Sequence, residues 1–440
     1  MVQISVKKTK STLWISFIAF WAWTISVYDY ILFGNLLPVI QNYYGWSSAE
    51  IGLLGTLVAL ATLLPAFTVG PILDRLGRVK GIAITTGAVA LSSFLSGLTI
   101  FFSGIAAFVW LVFARLFSGF GYSEQAANSA YLTEIYKEKT RGTIYSFVQG
   151  GWPIGVLLGA AFIYGLISYV SWAEIFWYAT IPAIVIAIAA LLVLPETERY
   201  IHISKVREYL KLGKVEEAKK LIDTYKVDLE EAKKFTYIQL FGRGLRKHTI
   251  FLSSAFFTNW MGVEIYIIFI TLILTTVKSV AFTSTLIWLI IANALSYIGY
   301  VIHGIIGDKI GRRETIMMGW IISGIAGTIL LVAPIYDPTI IEILYIINLF
   351  FLIGPYSALF TYMGESFPTR ARGTGVAFVN AMGPIGGLAG AAIFTALLAT
   401  NVNMAIAGVI AGGIPTILSG LLLLGARRIK PGMKLEDISY

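Results

Sequence analysis

Long apolar segments alternate with short polar ones along almost the whole chain. Twelve of these segments have roughly 20 residues or more, the length at which an α-helix crosses about 30 Å of hydrocarbon. Their approximate bounds are 13–40, 50–73, 81–103, 105–134, 143–170, 173–194, 249–276, 282–306, 314–334, 339–363, 374–400 and 403–425. Strands of a membrane barrel are shorter, about 10 residues, and alternate apolar with polar side chains. The pattern therefore predicts an all-α membrane protein with twelve transmembrane helices.

The chain repeats part of its own sequence. Residues 131–155 match residues 362–386 at ten of 25 positions, at a spacing of 231 residues. Residues 70–78 return at 304–312, at a spacing of 234. Internal repeats of this kind are found in transporters built from related halves. We therefore expect two six-helix halves related by a pseudo-two-fold axis.

The expected boundaries follow from the polar stretch between the sixth and seventh apolar segments. They give an N-terminal bundle at 1–194, a linker at 195–247, and a C-terminal bundle with a tail at 248–440. The linker mixes acidic and basic residues with apolar ones, which predicts short amphipathic helices on the cytoplasmic surface. Its lysines alternate with glutamates and no arginine or aromatic array accompanies them, so nucleic acid is not an expected partner.

The composition agrees with a membrane location. The chain is 57% hydrophobic and 13% charged, with a mean hydropathy of +0.79, which excludes an ordinary soluble globule. It contains no cysteine and three histidines. This excludes disulfides and thiolate metal sites, and we expect no metal and no other cofactor.

The basic residues predict the orientation. With the N-terminus inside, 31 of the 33 lysines and arginines lie on the cytoplasmic side. Lys278 alone lies outside, and Arg115 lies within a helix. The positive-inside rule then places both termini in the cytoplasm. The short basic N-terminus has no small-residue cleavage site before the first apolar segment, so that segment is expected to be a membrane helix and not a removable signal. We expect a multi-pass protein of the plasma membrane that functions as a monomer in the lipid bilayer.

Two duplicated sets of charged residues lie where helices meet the cytoplasm. They are Asp74, Arg75, Gly77 and Arg78 with the copies Asp308, Gly311 and Arg312, and Glu134 and Arg141 with the copies Glu365 and Arg372. Glycines allow tight turns, and acids at helix ends can pair with bases across the bundle. The duplication favours a latch on a cytoplasmic gate over the alternative of unrelated interfacial charges.

These motifs resemble the major facilitator superfamily. The resemblance is carried by the pattern G-x-x-x-D-R-x-G-R at Gly70–Arg78, its copy at Gly304–Arg312, the pattern R-x-x-x-G-x-G at Arg115–Gly121, and the twelve repeated helices. It covers nearly the whole chain. It implies a substrate site between the halves and alternating access by rocking of one half against the other.

Two branches of that superfamily are resembled in part. Tyr28–Tyr30 and Gly121–Glu124 are similar to acidic positions of proton-coupled phosphate and aromatic-acid symporters. Arg141–Gly142 and Pro195–Tyr200 are similar to sugar porters, although Glu198 replaces the second proline of that pattern. The glutamine-rich sugar-binding run of helix 7 is replaced by Asn259–Glu264, which argues against a hexose.

Four ionisable residues stand out deep within the apolar segments: Asp29, Arg115, Glu124 and Glu264. Such residues are costly in hydrocarbon and indicate function. Asp29 and Glu264 are counterparts in the two halves, 235 positions apart. Because burial disfavours a charged carboxylate, our hypothesis makes Asp29 the main proton carrier, tuned by Arg115 or Glu124. The alternative is a static ion pair between Asp29 and Arg115.

Polar and aromatic residues at mid-depth are candidate substrate contacts. They are Trp23, Tyr30, Gln125, Asn128, Gln149, Trp152, Asn259, Trp260, Asn293, Tyr297, Asn348, Tyr356 and Asn380. Amides bind hydroxyls and carboxylates alike, and aromatic rings stack on sugars or aromatic acids. For each residue taken singly, helix packing is the alternative.

The sequence thus predicts a secondary active transporter that imports a small hydrophilic metabolite with protons. An organic or sugar acid is favoured over a neutral sugar because Arg115 could offset an anion. A proton-coupled phosphate transporter and an uncoupled sugar facilitator remain alternatives, as does a solute receptor that does not transport. An enzyme is not expected, because the sequence has no nucleophile–base pair, metal cluster or phosphate loop.

Overall fold

A computed structural model describes residues 12–135, 147–217, 240–242, 244–367 and 372–429. Within these ranges the side chains of some residues, including Asp74 and Arg372, are outside the description. The described chain is helical, and its twelve long helices are α1 (Thr12–Tyr44), α2 (Ser48–Leu76), α3 (Arg78–Gly97), α4 (Gly104–Tyr122 with Glu124–Ile135), α5 (Gly151–Leu166), α6 (Trp172–Val193), α7 (Arg246–Val263 with Ile270–Val277), α8 (Phe282–Ile310), α9 (Arg312–Val332), α10 (Pro338–Ile353 with Tyr356–Ser366), α11 (Arg372–Ala399) and α12 (Met404–Gly408 with Ile414–Leu422).

The predicted twelve-helix layout in two halves is confirmed. Eleven of the helices in the described ranges are long and apolar enough to cross a membrane. The twelfth, α2, has 29 residues, which is more than the roughly 20 that a crossing needs. In the linker, the described part contains one helix of 14 residues, Glu198–Lys211.

Local sequence explains several helix ends. Ser171 and Glu174 form a reciprocal cap at the start of α6, in which the Ser171 N–H donates to Glu174 Oε2 at 2.8 Å. Asp337 accepts hydrogen bonds from two backbone N–H groups at the start of α10. Gly77 and Gly311 precede α3 and α9 with φ angles of 104° and 111°, which are strained for any residue with a side chain.

Four helices are interrupted where the sequence predicted continuous segments. Ser123 separates the two parts of α4, and Gly354 with Pro355 separates those of α10. In α7 and α12 the interruption is a π-helical turn, at Glu264–Ile268 and at Val409–Gly413. Apolar periodicity gives no signal for such turns, because their residues remain apolar throughout.

The two halves use the same glycine seam. Gly155 on α5 lies against the backbone of α1 at Thr24, and Gly386, its copy on α11, lies against the backbone of α7 at Phe257. Small residues let helix backbones approach closely in a membrane. The repeated sequence therefore encodes a repeated helix contact, which places α1 and α7 at equivalent positions in their halves.

Candidate functional site

A small cavity lies between the two halves. It is lined by Tyr30, Ala59, Tyr122, Trp260, Glu264, Pro384, Gly387 and Leu388. The first three come from α1, α2 and α4, and the other five come from α7 and α11. The cavity has a volume of about 10 Å³, which is room for about one water molecule. The halves are therefore closed around this point.

Glu264 is the one charged side chain among those that line the cavity. It is 2% exposed, and its Oε1 atom has no hydrogen-bond partner in the described part of the chain. Its other oxygen lies 3.2 Å from where a Cβ of Gly387 would be, so a larger residue there would crowd the carboxylate. Tyr30 and Tyr122 are the described titratable groups that interact electrostatically with it. An uncompensated buried carboxylate is costly, and binding a proton removes that charge.

Aromatic rings form most of the cavity wall. The rings of Tyr30 and Tyr122 are 5.0 Å apart, and the ring of Tyr122 meets that of Trp260 edge-on at 6.3 Å across the boundary between the halves. Trp152 Nε1 donates to the Tyr122 hydroxyl at 3.2 Å. Trp260 Nε1 is buried without an acceptor in the described structure, so it is a donor available to a ligand.

The sequence neighbour of Trp260 also carries an unpartnered donor. Asn259 is fully buried, and its Oδ1 accepts a hydrogen bond from the Tyr356 hydroxyl at 2.6 Å. Its Nδ2 has no acceptor among the described residues. Tyr356 thus fixes the amide so that its N–H groups remain free.

Asp29 and Arg115 lie away from this wall, in a closed ion pair. Arg115 Nη2 is 3.1 Å from Asp29 Oδ2, and Nη1 is 3.2 Å from Oδ1. Ser93 and Ser118 donate to the two carboxylate oxygens at 2.5 and 2.8 Å. The guanidinium also lies 4.9 Å above the ring of Phe33. The Asp29–Arg115 ion pair is therefore present, and both a static role for this pair and the role of Asp29 as proton carrier stay predictions.

Glu124, the fourth predicted coupling residue, starts the second part of α4. It is fully buried, and neither carboxylate oxygen has a hydrogen-bond partner at bonding geometry in the described chain. Asn128, one turn later, is close enough to interact with it, but donates its amide proton to the Ala19 carbonyl at 2.6 Å. Glu124 does not line the cavity.

The predicted substrate contacts divide into three groups. Tyr30 and Trp260 line the cavity, Trp152 contacts its wall, and Asn259, the sequence neighbour of Trp260, is hydrogen-bonded to Tyr356. Others are engaged in bonds within one half: Gln125 with Gln149, Asn128 with Ala19, Asn293 with Leu289, and Asn348 with Ser323. The rest lie beside these without lining the cavity: Trp23 packs on Tyr122, Tyr297 on Gly150, and Asn380 is partly exposed on α11.

Five of the eight cavity residues were not among the predicted site residues: Ala59, Tyr122, Pro384, Gly387 and Leu388. Tyr122 stands inside the stretch Gly121–Glu124, whose aromatic member could have been selected together with its acid. Gly387 is one of several glycines on α11, and nothing in the sequence indicates that it faces a carboxylate. A glycine that makes room for another side chain becomes visible only in three dimensions.

The predicted gate residues form ion pairs within each half. Arg78 Nη2 lies 2.9 Å from Glu134 Oε1, and Arg312 Nε lies 2.9 Å from Glu365 Oε2. The two copies are thus equivalent, and Arg312 also contacts Asp308 at 3.1 Å. All ion pairs between described side chains stay inside one half or the other. A latch between the halves stays a prediction.

The linker contributes to the N-terminal set. Glu196 Oε1 accepts from the Arg78 N–H at 3.1 Å, and the Thr197 hydroxyl donates to Glu134 at 2.7 Å. The Arg75 side chain is exposed, while its carbonyl accepts from Tyr200. Arg141 and the side chains of Asp74 and Arg372 lie outside the described residues.

The halves close on each other at the end of the bundle opposite these charges, which we call the far end. The hydroxyls of Thr56 on α2 and Thr395 on α11 are 2.9 Å apart. Thr271 on α7 donates to the Gly34 carbonyl at 3.2 Å. Gly55 faces the ring of Phe269, where a Cβ atom would collide with the ring. The missing side chain at Gly55 therefore lets the far end close.

Gly55→Trp is expected to hold the far end open and to lower transport by at least about tenfold, a barrier change of ~1.4 kcal/mol. Because the chain has no cysteine, a single cysteine at Leu388 reports access to the cavity by its reaction with a membrane-impermeant maleimide. Labelling should rise in Gly55→Trp. The matched control is Gly87→Trp, since a Cβ at Gly87 meets nothing within 4 Å. Equal labelling in both variants would contradict this view of the closure.

Comparison with known proteins gives one family and a consistent fold. The family model described as Major Facilitator Superfamily matches residues 12–391 and 252–437. The probable 4-methylmuconolactone transporter of Cupriavidus pinatubonensis is 25% identical over 396 residues, covering 88% of this chain and 84% of that protein. The cis,cis-muconate transport protein of Acinetobacter baylyi is 24% identical over 373 residues, covering 84% and 83%. The inward open structure of the xylose transporter XylE from E. coli matches in fold, with a TM-score of 0.72 and 16% identity over 96% of this chain and 98% of that one.

Proposed function

The chain belongs to the Major Facilitator Superfamily and is a membrane transporter, and from that premise we propose that it carries a small organic acid together with a proton. The observation that supports this most directly is the carboxylate of Glu264, which lies in the cavity between the halves with one oxygen unpartnered. A site at the boundary between the halves faces either side of the membrane as the halves rock.

Proton coupling belongs to Glu264 in this proposal, in place of Asp29. Asp29 is compensated by Arg115 and by two serine hydroxyls, so binding a proton there would break a satisfied network. Glu264 has no such partner. Its charge changes at the point where substrate binds, and that is the requirement for coupling the two.

The chemistry of the cavity wall suggests the substrate class. Among the described residues no basic side chain lines the cavity, and Arg115, the cation expected to offset an anion, already holds Asp29. An anionic substrate therefore needs a protonated Glu264. In that form the site offers the Glu264 hydroxyl and the N–H of Trp260 as donors, with Asn259 beside them. Aromatic faces suit a planar, unsaturated acid, and two relatives are named as transporters of a muconolactone and a muconate.

This arrangement makes the proton and the acid bind together. An ionised Glu264 repels an anion, whereas a protonated one donates a hydrogen bond to it, so each ligand raises the affinity for the other. We further propose that the end with the charged motifs is cytoplasmic, that the protein acts in the plasma membrane as a monomer, and that import is the working direction. The 195–247 linker joins the two bundles in this scheme.

The test is uptake into proteoliposomes with the membrane potential held at zero. The substrates are muconate, an aromatic acid, xylose and phosphate, each with and without an inward proton gradient. One proton per substrate gives about tenfold accumulation of the acid per unit of pH gradient at equilibrium. Protein-free liposomes are the control for passive diffusion of undissociated acid. Gradient-independent xylose uptake would replace the proposal by a sugar facilitator, and saturable binding without uptake would replace it by a receptor.

A further inference from the structure

Asp29 and Glu264 are equivalent in sequence, yet they lie in different surroundings. In the N-terminal half Asp29 joins α1 to Ser93 on α3 and to Arg115 on α4. In the C-terminal half Glu264 does not occupy the equivalent position and faces the cavity instead. Another residue must therefore anchor α7 to its neighbours.

Tyr266 on α7 lies against α9 and α10. At the spacing of 234 residues the counterpart of Ser93 is Gly327 on α9, and Asn348 lies on α10, the counterpart of α4. A Cβ atom on Gly327 would lie 2.5 Å from the Tyr266 hydroxyl and 2.6 Å from Asn348 Nδ2. The side chain of Tyr266 thus meets α9 and α10, the counterparts of the helices α3 and α4 that Asp29 meets.

The backbone around Tyr266 is a π-helical turn held on several sides. Its carbonyl accepts a hydrogen bond from the Tyr345 hydroxyl of α10 at 3.3 Å. The Tyr266 hydroxyl lies 3.1 Å from the Cβ position of Gly413, in the π-turn of α12, and Gly412 of the same turn faces Ile265. π-turns inside helices are rare and concentrate at functional sites. Here two of them pack together, next to the carboxylate that faces the cavity.

We propose that Tyr266 is a positioning residue that turns Glu264 towards the cavity. Residues two apart on a helix point to nearly opposite sides, since each residue advances by about 100°. Holding Tyr266 inside the C-terminal half between α9, α10 and α12 therefore directs Glu264 outwards, to the boundary with the other half. The functional consequence rests on the proposed role of Glu264 in proton coupling.

The experiment compares two alanine substitutions on α9. Gly327→Ala places a methyl group against the ring of Tyr266, whereas the atoms nearest to a methyl group at Gly324 belong to Ile417 and Gly413 on α12. Gly324→Ala disturbs the contact of α9 with α12, so it controls for a general loss of packing around α9. The first readout is modification of Glu264 by dicyclohexylcarbodiimide, measured by mass spectrometry with Glu124 as internal reference. The second is the pH at which uptake is half-maximal.

We expect Gly327→Ala to lower labelling of Glu264 several-fold and to shift the pH midpoint by about one unit, with both unchanged in Gly324→Ala. Tyr345→Phe removes the hydrogen bond to the Tyr266 carbonyl and keeps the ring. It replaces Gly327→Ala if that variant does not fold, and it should change the labelling of Glu264 and the pH midpoint in the same direction. Equal behaviour of the two alanine variants would overturn the proposal. Labelling of Glu264 does not depend on transport, so it tests the positioning by Tyr266 directly. Proton-dependent uptake that persists in Glu264→Gln would refute the coupling role of Glu264 and leave the positioning proposal standing.

Discussion

Glu264→Gln is expected to abolish accumulation of substrate against its gradient while exchange of internal for external substrate continues. Glutamine keeps the size of the side chain and can still donate a hydrogen bond, so it imitates the protonated carboxylate. It cannot release a proton. The variant should bring the substrate to equal concentrations on both sides, where the wild type reaches about tenfold accumulation per unit of pH gradient.

The measurement uses preloaded and empty proteoliposomes side by side. Exchange in preloaded vesicles should become independent of pH in the variant, because the only charge among the described cavity residues has been removed. Glu342→Gln is the matched control, a carboxylate on α10 that does not line the cavity. Accumulation that persists in Glu264→Gln would exclude this residue as the proton carrier and return the role to Asp29 or Glu124.

The arrangement of helices could be predicted from the sequence because it rests on long-range averages. Apolar length identifies a membrane helix whichever apolar residues compose it, and the repeat of Tyr131–Gly155 at Tyr362–Gly386 implied equivalent contacts in both halves. The structure shows this equivalence in detail: the Tyr131 hydroxyl donates to the Pro195 carbonyl after α6, and the Tyr362 hydroxyl donates to the Arg427 carbonyl after α12. The repeated tyrosine therefore makes the equivalent hydrogen bond in each half.

The candidate site could be predicted only in part, because it depends on where the repeat fails. Asp29 and Glu264 align in sequence, but Glu264 begins a π-helical turn that the apolar periodicity does not reveal. Sequence reasoning therefore assigned proton coupling to the residue that the structure pairs with Arg115. Tyr30 and Trp260, selected as aromatic residues at mid-depth, line the cavity, whereas Tyr122 and Gly387, which also line it, were not selected. Whether a residue lines the cavity depends on the direction in which its side chain points from the helix. Sequence spacing alone does not give this direction when helices are interrupted.

Removing one member of the Asp29–Arg115 pair is expected to have the largest effect on stability. Both side chains are fully buried, and Arg115→Met leaves the Asp29 carboxylate without its counter-ion in a low-dielectric interior. Breaking a buried pair in this way costs about 3–5 kcal/mol, a large share of the 5–15 kcal/mol that stabilises an ordinary domain. The yield of folded protein in detergent and its thermal midpoint should both fall sharply.

Replacing both members together separates structure from coupling. Asp29→Leu with Arg115→Met removes both charges and restores apolar packing, and such exchanges of buried ion pairs are often neutral or stabilising. The double variant should recover most of the thermal midpoint that the single variant loses, although the Ser93 hydroxyl loses one partner and the Ser118 hydroxyl loses two. Because the proposal assigns coupling to Glu264, the double variant should also retain gradient-driven accumulation of the acid. A double variant that is folded, binds substrate and no longer accumulates it would show that Asp29 carries the proton, and would make the ion pair a working part of the transport cycle instead of a structural one.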